Sequence, residues 1–271
     1  MSRAGARRLP REVAPLPRRT YHGPVSARPA PSAPVGVPRA HLGIARRPAW
    51  VTHAWLIAEK DLRLELRSGE VTLTSGFFAL LVVIIASMAF YGGPQTGRLV
   101  AAGAIWLSIA FAGVLAVGQS WQYEREDGAL RGLLVAPVPR SAIFAGKAAA
   151  LALFLLAIEL VVIPVAAVLF ALDAALLVAP IALVALVATP GIAATTTLFG
   201  TLIHGGGRAV ILAVVVFPLL APTLLASVAA TRALLDGAPL VDVSAHLELI
   251  GLFDVVSSAG GLGLFGTLVE D

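Results

Sequence analysis

Apolar residues dominate six long blocks, at about 71–91, 99–121, 148–172, 174–203, 209–230 and 249–269. Each is long enough for a helix to cross a bilayer core of roughly 30 Å. Backbone groups in lipid have no water to bond to, and the blocks are too long for barrel strands, so the pattern predicts six spanning helices. Gly92, Gly93 and Pro94 close the first block into a tight hairpin with the second. Asp173 alone marks the turn into the fourth, and His204 to Arg208 lead into the fifth, which carries Pro218 and Pro222 one helical turn apart. The fourth block would extend about 45 Å as one helix, longer than the bilayer core, so Pro180 and the Pro190-Gly191 pair are expected to kink it. Thr195, Thr196 and Thr197 give it a polar patch. Residues 231–248 read as a polar stretch with Leu234, Leu235 and Leu240 resting on the membrane surface. Asp254 and the glycines of 260–266 dilute the last block, which is still counted as a span.

Ahead of these blocks, residues 50–70 are amphipathic rather than uniformly apolar. Trp55, Ala58, Leu62 and Leu66 fall on one helical face, and Glu59 and Arg63 are spaced for an i,i+4 pair. The expectation is an amphipathic helix lying in the membrane interface.

The longest polar interruption, within residues 122–147, is read as a coupling segment. Glu124, Glu126 and Asp127 form an acidic cluster; Asp127 and Gly128 are placed to cap a short helix, and Leu130, Leu133 and Leu134 follow at i, i+3, i+4. The carboxylates would lie near that helix's positive N-terminus. Pro137 and Pro139 end it, Ser141 is placed to cap the next helix, and Lys147 to snorkel at the third span's start. Two readings stay open: a helix that docks in a groove of a partner protein, or a solvated loop whose leucines rest on lipid headgroups.

Composition agrees with the blocks. Of 271 residues, 58% are hydrophobic and 13% charged, more apolar surface than a soluble domain of this size can hide. The fold class expected is an all-α polytopic membrane protein, six transmembrane helices preceded by an amphipathic interfacial helix and a disordered N-terminal tail. That tail, residues 1–49, holds ten arginines, nine prolines and one acid, whereas the rest of the chain carries a net charge of −5. With no apolar periodicity it cannot bury enough surface to offset its ordering entropy. A start codon assigned too far upstream would account for it equally well. It lacks interleaved aromatics, so no nucleic-acid partner is inferred. With the N-terminus inside, 18 of the 20 Lys and Arg fall on the cytoplasmic side and only Arg98 and Arg232 outside. The positive-inside rule therefore selects cytoplasmic N- and C-termini and a cytoplasmic coupling segment.

The chemistry is sparse. With no cysteine, disulfides, thiolate metal sites and cysteine nucleophiles are excluded. A phosphate-binding loop needs GxxxxGK followed by Ser or Thr, and Ser141 to Ala148 has only the Gly146-Lys147 pair. Energy from ATP would have to come through a partner, and no catalytic residue is assigned. The histidines, His22, His41, His53, His204 and His246, occupy separate segments and read as surface residues, with His246 the one candidate for an axial haem ligand. Glu159 and Asp254 lie inside spans, where a carboxylate costs roughly 2.5 kcal/mol or more and so faces protein or water. They serve as a polar lining or as helix-to-helix bonds, unless either sits near a span end.

The chain resembles the cytochrome c maturation protein B family (CcmB), the haem exporter B permeases of the ABC-2-like class. The resemblance rests on AspLeuArgLeuGluLeuArg at 61–67, on the stretch 124–139 with Lys147, on ThrProGlyIle at 189–192 and on 205–224, within about residues 55–268. Three features depart from the family pattern: the tail, Arg131 in place of an acid after the leucine, and the acidic end Glu270-Asp271. The resemblance implies an inner-membrane permease subunit without ATPase activity, either exporting haem or using ATP to release a haem-loaded chaperone. It further implies a separate ABC ATPase subunit, a haem-handling membrane protein, and a homodimer or paired permease. It implies no directly bound cofactor, ATP acting through the partner, and haem as cargo in the export alternative. Rival readings are an ABC-2 exporter for lipid, drug or polysaccharide, an ion-coupled carrier, and a structural membrane scaffold.

Overall fold

A computed structural model describes residues 49–90, 92–126, 132, 135–201 and 209–270. The predicted tail, 1–49, lies almost wholly outside the described residues, as do residues 127–131, 133 and 134 of the coupling segment. The described chain is helical: α1 (Trp50–Ser68), α2 (Glu70–Ala89), α3 (Pro94–Glu126), α4 (Arg140–Leu169), α5 (Ala174–Gly200), α6 (Ala209–Leu235), a 3-10 turn (Leu240–Val243) and α7 (Ser244–Glu270). Helices α2 to α7 are each long and apolar enough to cross a membrane, as their sequence blocks predicted. The protein is a multi-pass membrane protein.

Contacts between helix ends show that the six spans alternate in direction. At one end of the bundle Trp121 of α3 and Phe144 of α4 both stack on Phe265 of α7, with ring centroids 6.1 and 5.6 Å apart. At the other, Gly97 in the first turn of α3 lies against the Phe170 carbonyl at the end of α4; deeper in, Trp106 donates its Nε1 hydrogen to Thr231 Oγ1 of α6, at 2.8 Å. Helices α4 and α5 form the centre: Leu155, Ile158 and Val162 pack in one core with Val184, Ala188 and Ile192. Outward residues such as Phe77, Met88, Leu160 and Val168 stay exposed, as lipid-facing positions do.

Several expectations are corrected. Helix α3 continues past Trp121 to Glu126, because Gln, Glu and Arg are good helix formers and nothing before residue 127 breaks the chain. Glu124 and Glu126 therefore lie within α3. Helix α4 begins at Arg140 with no side-chain cap; Ser141 Oγ instead accepts a hydrogen bond from Trp50 Nε1, at 2.9 Å. Helix α5 stays helical through both Pro180 and Pro190, as far as Gly200. Leu234 and Leu235 are buried in the core rather than resting on the surface, since α6 extends through them beside the Trp106–Thr231 bond.

The face of α1 packed on the bundle is not its apolar one. Trp55 and Leu66 are 60% and 85% exposed, while Ile57, Ala58, Asp61 and Glu65 are buried. The packed face is turned by about a quarter of a revolution from the apolar one. Acidic side chains point into the bundle and large apolar ones out, an order that suits a helix whose outer surface meets lipid rather than water. Glu59 and Arg63 do form the i,i+4 ion pair. Helix α1 stops at Gly69, which takes the left-handed conformation (φ +66°) and donates its N–H to Glu65 O at 2.6 Å. Glu65 Oε1 then accepts the N–H of Thr72, also at 2.6 Å, so the last turn of α1 satisfies an orphan donor of α2.

Candidate functional site

Two polar centres interrupt the apolar bundle. The first lies where α3, α4 and α1 meet. Lys147, 4% exposed, does not snorkel to water: its Nζ lies 3.2 Å from Oδ2 of Asp61, itself 8% exposed. The ammonium also sits over the ring of Trp121, 5.0 Å from its centroid, a cation–π arrangement in a dry setting. Asp61 Oδ1 is held in addition by Lys60, at 3.1 Å. Ser120 and Thr197 line the same small cavity, of about 10 Å³, room for about one water molecule. The buried Thr197 Oγ1 has no hydrogen-bond partner among the described residues.

The second centre is mid-bundle, on the ThrProGlyIle stretch of α5. Thr189 Oγ1 donates to Glu159 Oε1 of α4, at 2.7 Å, and lies equally close to the backbone oxygen of Ala185. Glu159 is 2% exposed. Pro190 has no N–H, so the carbonyl of Leu186 lacks its helical donor. At Gly191 the half-buried Asp254 of α7 comes so close that a Cβ would overlap Oδ1 and lie 3.2 Å from the Asp254 Cα. One turn on, Thr195 Oγ1 and Ser257 Oγ are 3.0 Å apart, a second α5–α7 link. The two intramembrane carboxyls thus flank one turn of α5, each as a helix-to-helix contact.

The third candidate, the coupling segment, is described only at its margins. Glu124 and Glu126 belong to the end of α3, and Asp127, Gly128, Leu130, Leu133 and Leu134 lie outside the described residues. Ala136 donates its N–H to Gly132 O at 3.1 Å, a helical turn that stops at the exposed Pro137. His246, the candidate haem ligand, is half-buried in the first turn of α7.

Sequence reasoning did not single out Asp61, Trp121, Ser120, Thr197 or Thr189 as site residues. A usable signal existed for one of them: Asp61 and Glu65 share a face of α1 at i,i+4, and a lysine with no local acid stands in the apolar start of α4. A family model described as CcmB protein matches residues 52–264, from α1 almost to the end of α7. The chain belongs to the CcmB family. Among its relatives, Heme exporter protein B of Bradyrhizobium diazoefficiens is 32% identical over 186 residues, 67% of this chain and 82% of that protein. The protein of the same name from Rhodobacter capsulatus is 32% identical over 99 residues, 35% of this chain and 43% of its own. That from Escherichia coli K12 is 26% identical over 93 residues, 34% and 42%. The CcmB match takes in both polar centres and the coupling segment, and leaves the Arg/Pro-rich residues 1–49 outside.

Proposed function

We propose that this chain is the permease subunit of an ABC transporter for cytochrome c maturation, exporting haem or driving release of a haem-loaded chaperone. The family match over 52–264, with relatives named Heme exporter protein B, carries the reading. The chain has no phosphate-binding loop, so a separate ABC ATPase hydrolyses ATP and docks on Glu124, Glu126, Asp127, Gly128, Leu130, Leu133, Leu134 and Pro137. The acidic cluster supports this: Glu124, Glu126 and Asp127 fall within four residues and suit a cationic partner surface. Glu159 and Asp254 tie α4, α5 and α7 at the level where cargo must pass, so movement of one of these helices is felt by the others. The remaining partners are a haem-handling membrane protein and a second permease.

The test is to purify the tagged full-length chain from its own membranes and identify what accompanies it. An ABC ATPase together with a haem-binding membrane protein is the expected result; an ATPase of a lipid or polysaccharide exporter would redirect the assignment.

The membrane is the inner one, and both termini face the cytoplasm. With no native cysteine, single cysteines at 96, 130 and 271 can be probed in intact cells with a membrane-impermeant reagent. Labelling is expected at 96 alone; labelling at 130 or 271 but not at 96 would invert the topology.

A further inference from the structure

The first polar centre stands at the two ends of the coupling segment. Trp121 is five residues before the end of α3 and Lys147 is seven residues into α4, so residues 127–139 leave one side of the centre and return to the other. Helix α1 closes it from a third side and is fastened to α4 at successive turns. Trp50 bonds Ser141; a Cβ on Gly146 would sit 2.6 Å from the carbonyl oxygen of Ala54 and 2.7 Å from Ile57 Cβ; Asp61 pairs with Lys147. Through Glu65 and Thr72, α1 is in turn joined to α2.

A buried ion pair is a poor way merely to hold helices together, because well-packed apolar residues of similar volume do as well or better. In some proteins a buried pair instead fixes one register among several. The surroundings here allow another: Thr197 Oγ1 on α5 borders the same cavity as Lys147 and Asp61 with no bond of its own among the described residues. A short shift of α4 relative to α1 would carry the Lys147 ammonium from Asp61 toward Thr197, with Trp121 as the surface it slides on.

We propose that Asp61, Trp121 and Lys147 are positioning residues that carry displacement of the coupling segment into α1 and α5. The inference rests on the docking reading, which supplies the displacement. It gives α1 a part in the working cycle beyond anchoring at the interface.

The experiment uses the permease–ATPase complex and compares wild type with Asp61→Asn, Lys147→Met and the conservative Lys147→Arg. Three quantities are read: ATPase recovered with the permease, ATP hydrolysis per complex, and cytochrome c formed in cells. The expected result for Asp61→Asn and Lys147→Met is an ATPase that stays bound and still hydrolyses ATP. Cytochrome c output falls about tenfold, within the range usual for coupling between sites, and Lys147→Arg restores most of it. Equal loss of ATPase recovery, hydrolysis and output would make the triad a static brace and overturn the proposal. So would wild-type output in both neutral variants. Should Lys147→Met fail to accumulate, Asp61→Asn carries the test. A wild-type permease that brings down no ATPase refutes the docking reading, and the proposed transmission with it.

Discussion

With Leu133 and Leu134 both replaced by Asp, a tagged permease is expected to insert normally and to come out of the membrane without its ATPase. Neither residue falls in one of the six apolar blocks of the sequence, so insertion is not expected to depend on them. A docking helix of this length draws most of its affinity from apolar burial, at roughly 1.5 to 3 kcal/mol per fully buried leucine. Two leucines lost together correspond to about 10² to 10⁴ in affinity. Glu126→Lys is expected to weaken the same contact less, since an exposed charge pair is worth about 0 to 1 kcal/mol. Pull-down from detergent with both variants side by side reads the ranking. An ATPase that stays with the double variant would mean that the leucines rest on lipid and that the partner binds elsewhere.

The second large effect is expected at Gly191. Adding a single methyl there places it on the Asp254 carboxyl and 3.2 Å from the Asp254 Cα, so the carboxyl must turn aside and α7 give way slightly. Overpacking of this kind costs about 1 to 3 kcal/mol, and here it also pulls Thr195 from Ser257. Gly191→Ala should lower the detergent melting temperature and cytochrome c output together. Adding Asp254→Gly should recover the stability lost to the clash. If Gly191→Ala melts like wild type, the close approach of α5 and α7 is not part of the folded protein.

The spans were legible because lipid imposes one rule on every residue of a block, and a block of apolar residues can satisfy it only by crossing. Their boundaries were less so. Residues 122–126 are polar and read as loop, yet once α3 has formed, polar helix formers prolong it at little cost. Pro180 and Pro190 do not end α5, because each proline removes only one donor. The inner face of α1 was hidden for a different reason. Periodicity weighs each side chain by its own polarity, and Asp61 is buried because of a lysine 86 positions away. Thr231 is the same case: its burial follows from the indole of Trp106, 125 positions earlier. Of the site residues named from sequence, Glu159 and Asp254 were those whose chemistry is odd within their own helix. The partners that give them a place, Thr189 and Gly191, are ordinary residues until the helices are assembled.

That separation along the chain sets an order of assembly. As the protein is synthesised, Asp61 emerges well before Lys147, and until α4 has entered the bilayer the carboxylate has no buried partner. Helix α1 must therefore wait at the surface, its acidic face in water, while the α2–α3 hairpin forms above it. Its docking belongs to the late steps of biogenesis, after the third span. A ribosome stalled before residue 147 would leave a nascent chain whose first helix has no ammonium to seat its Asp61.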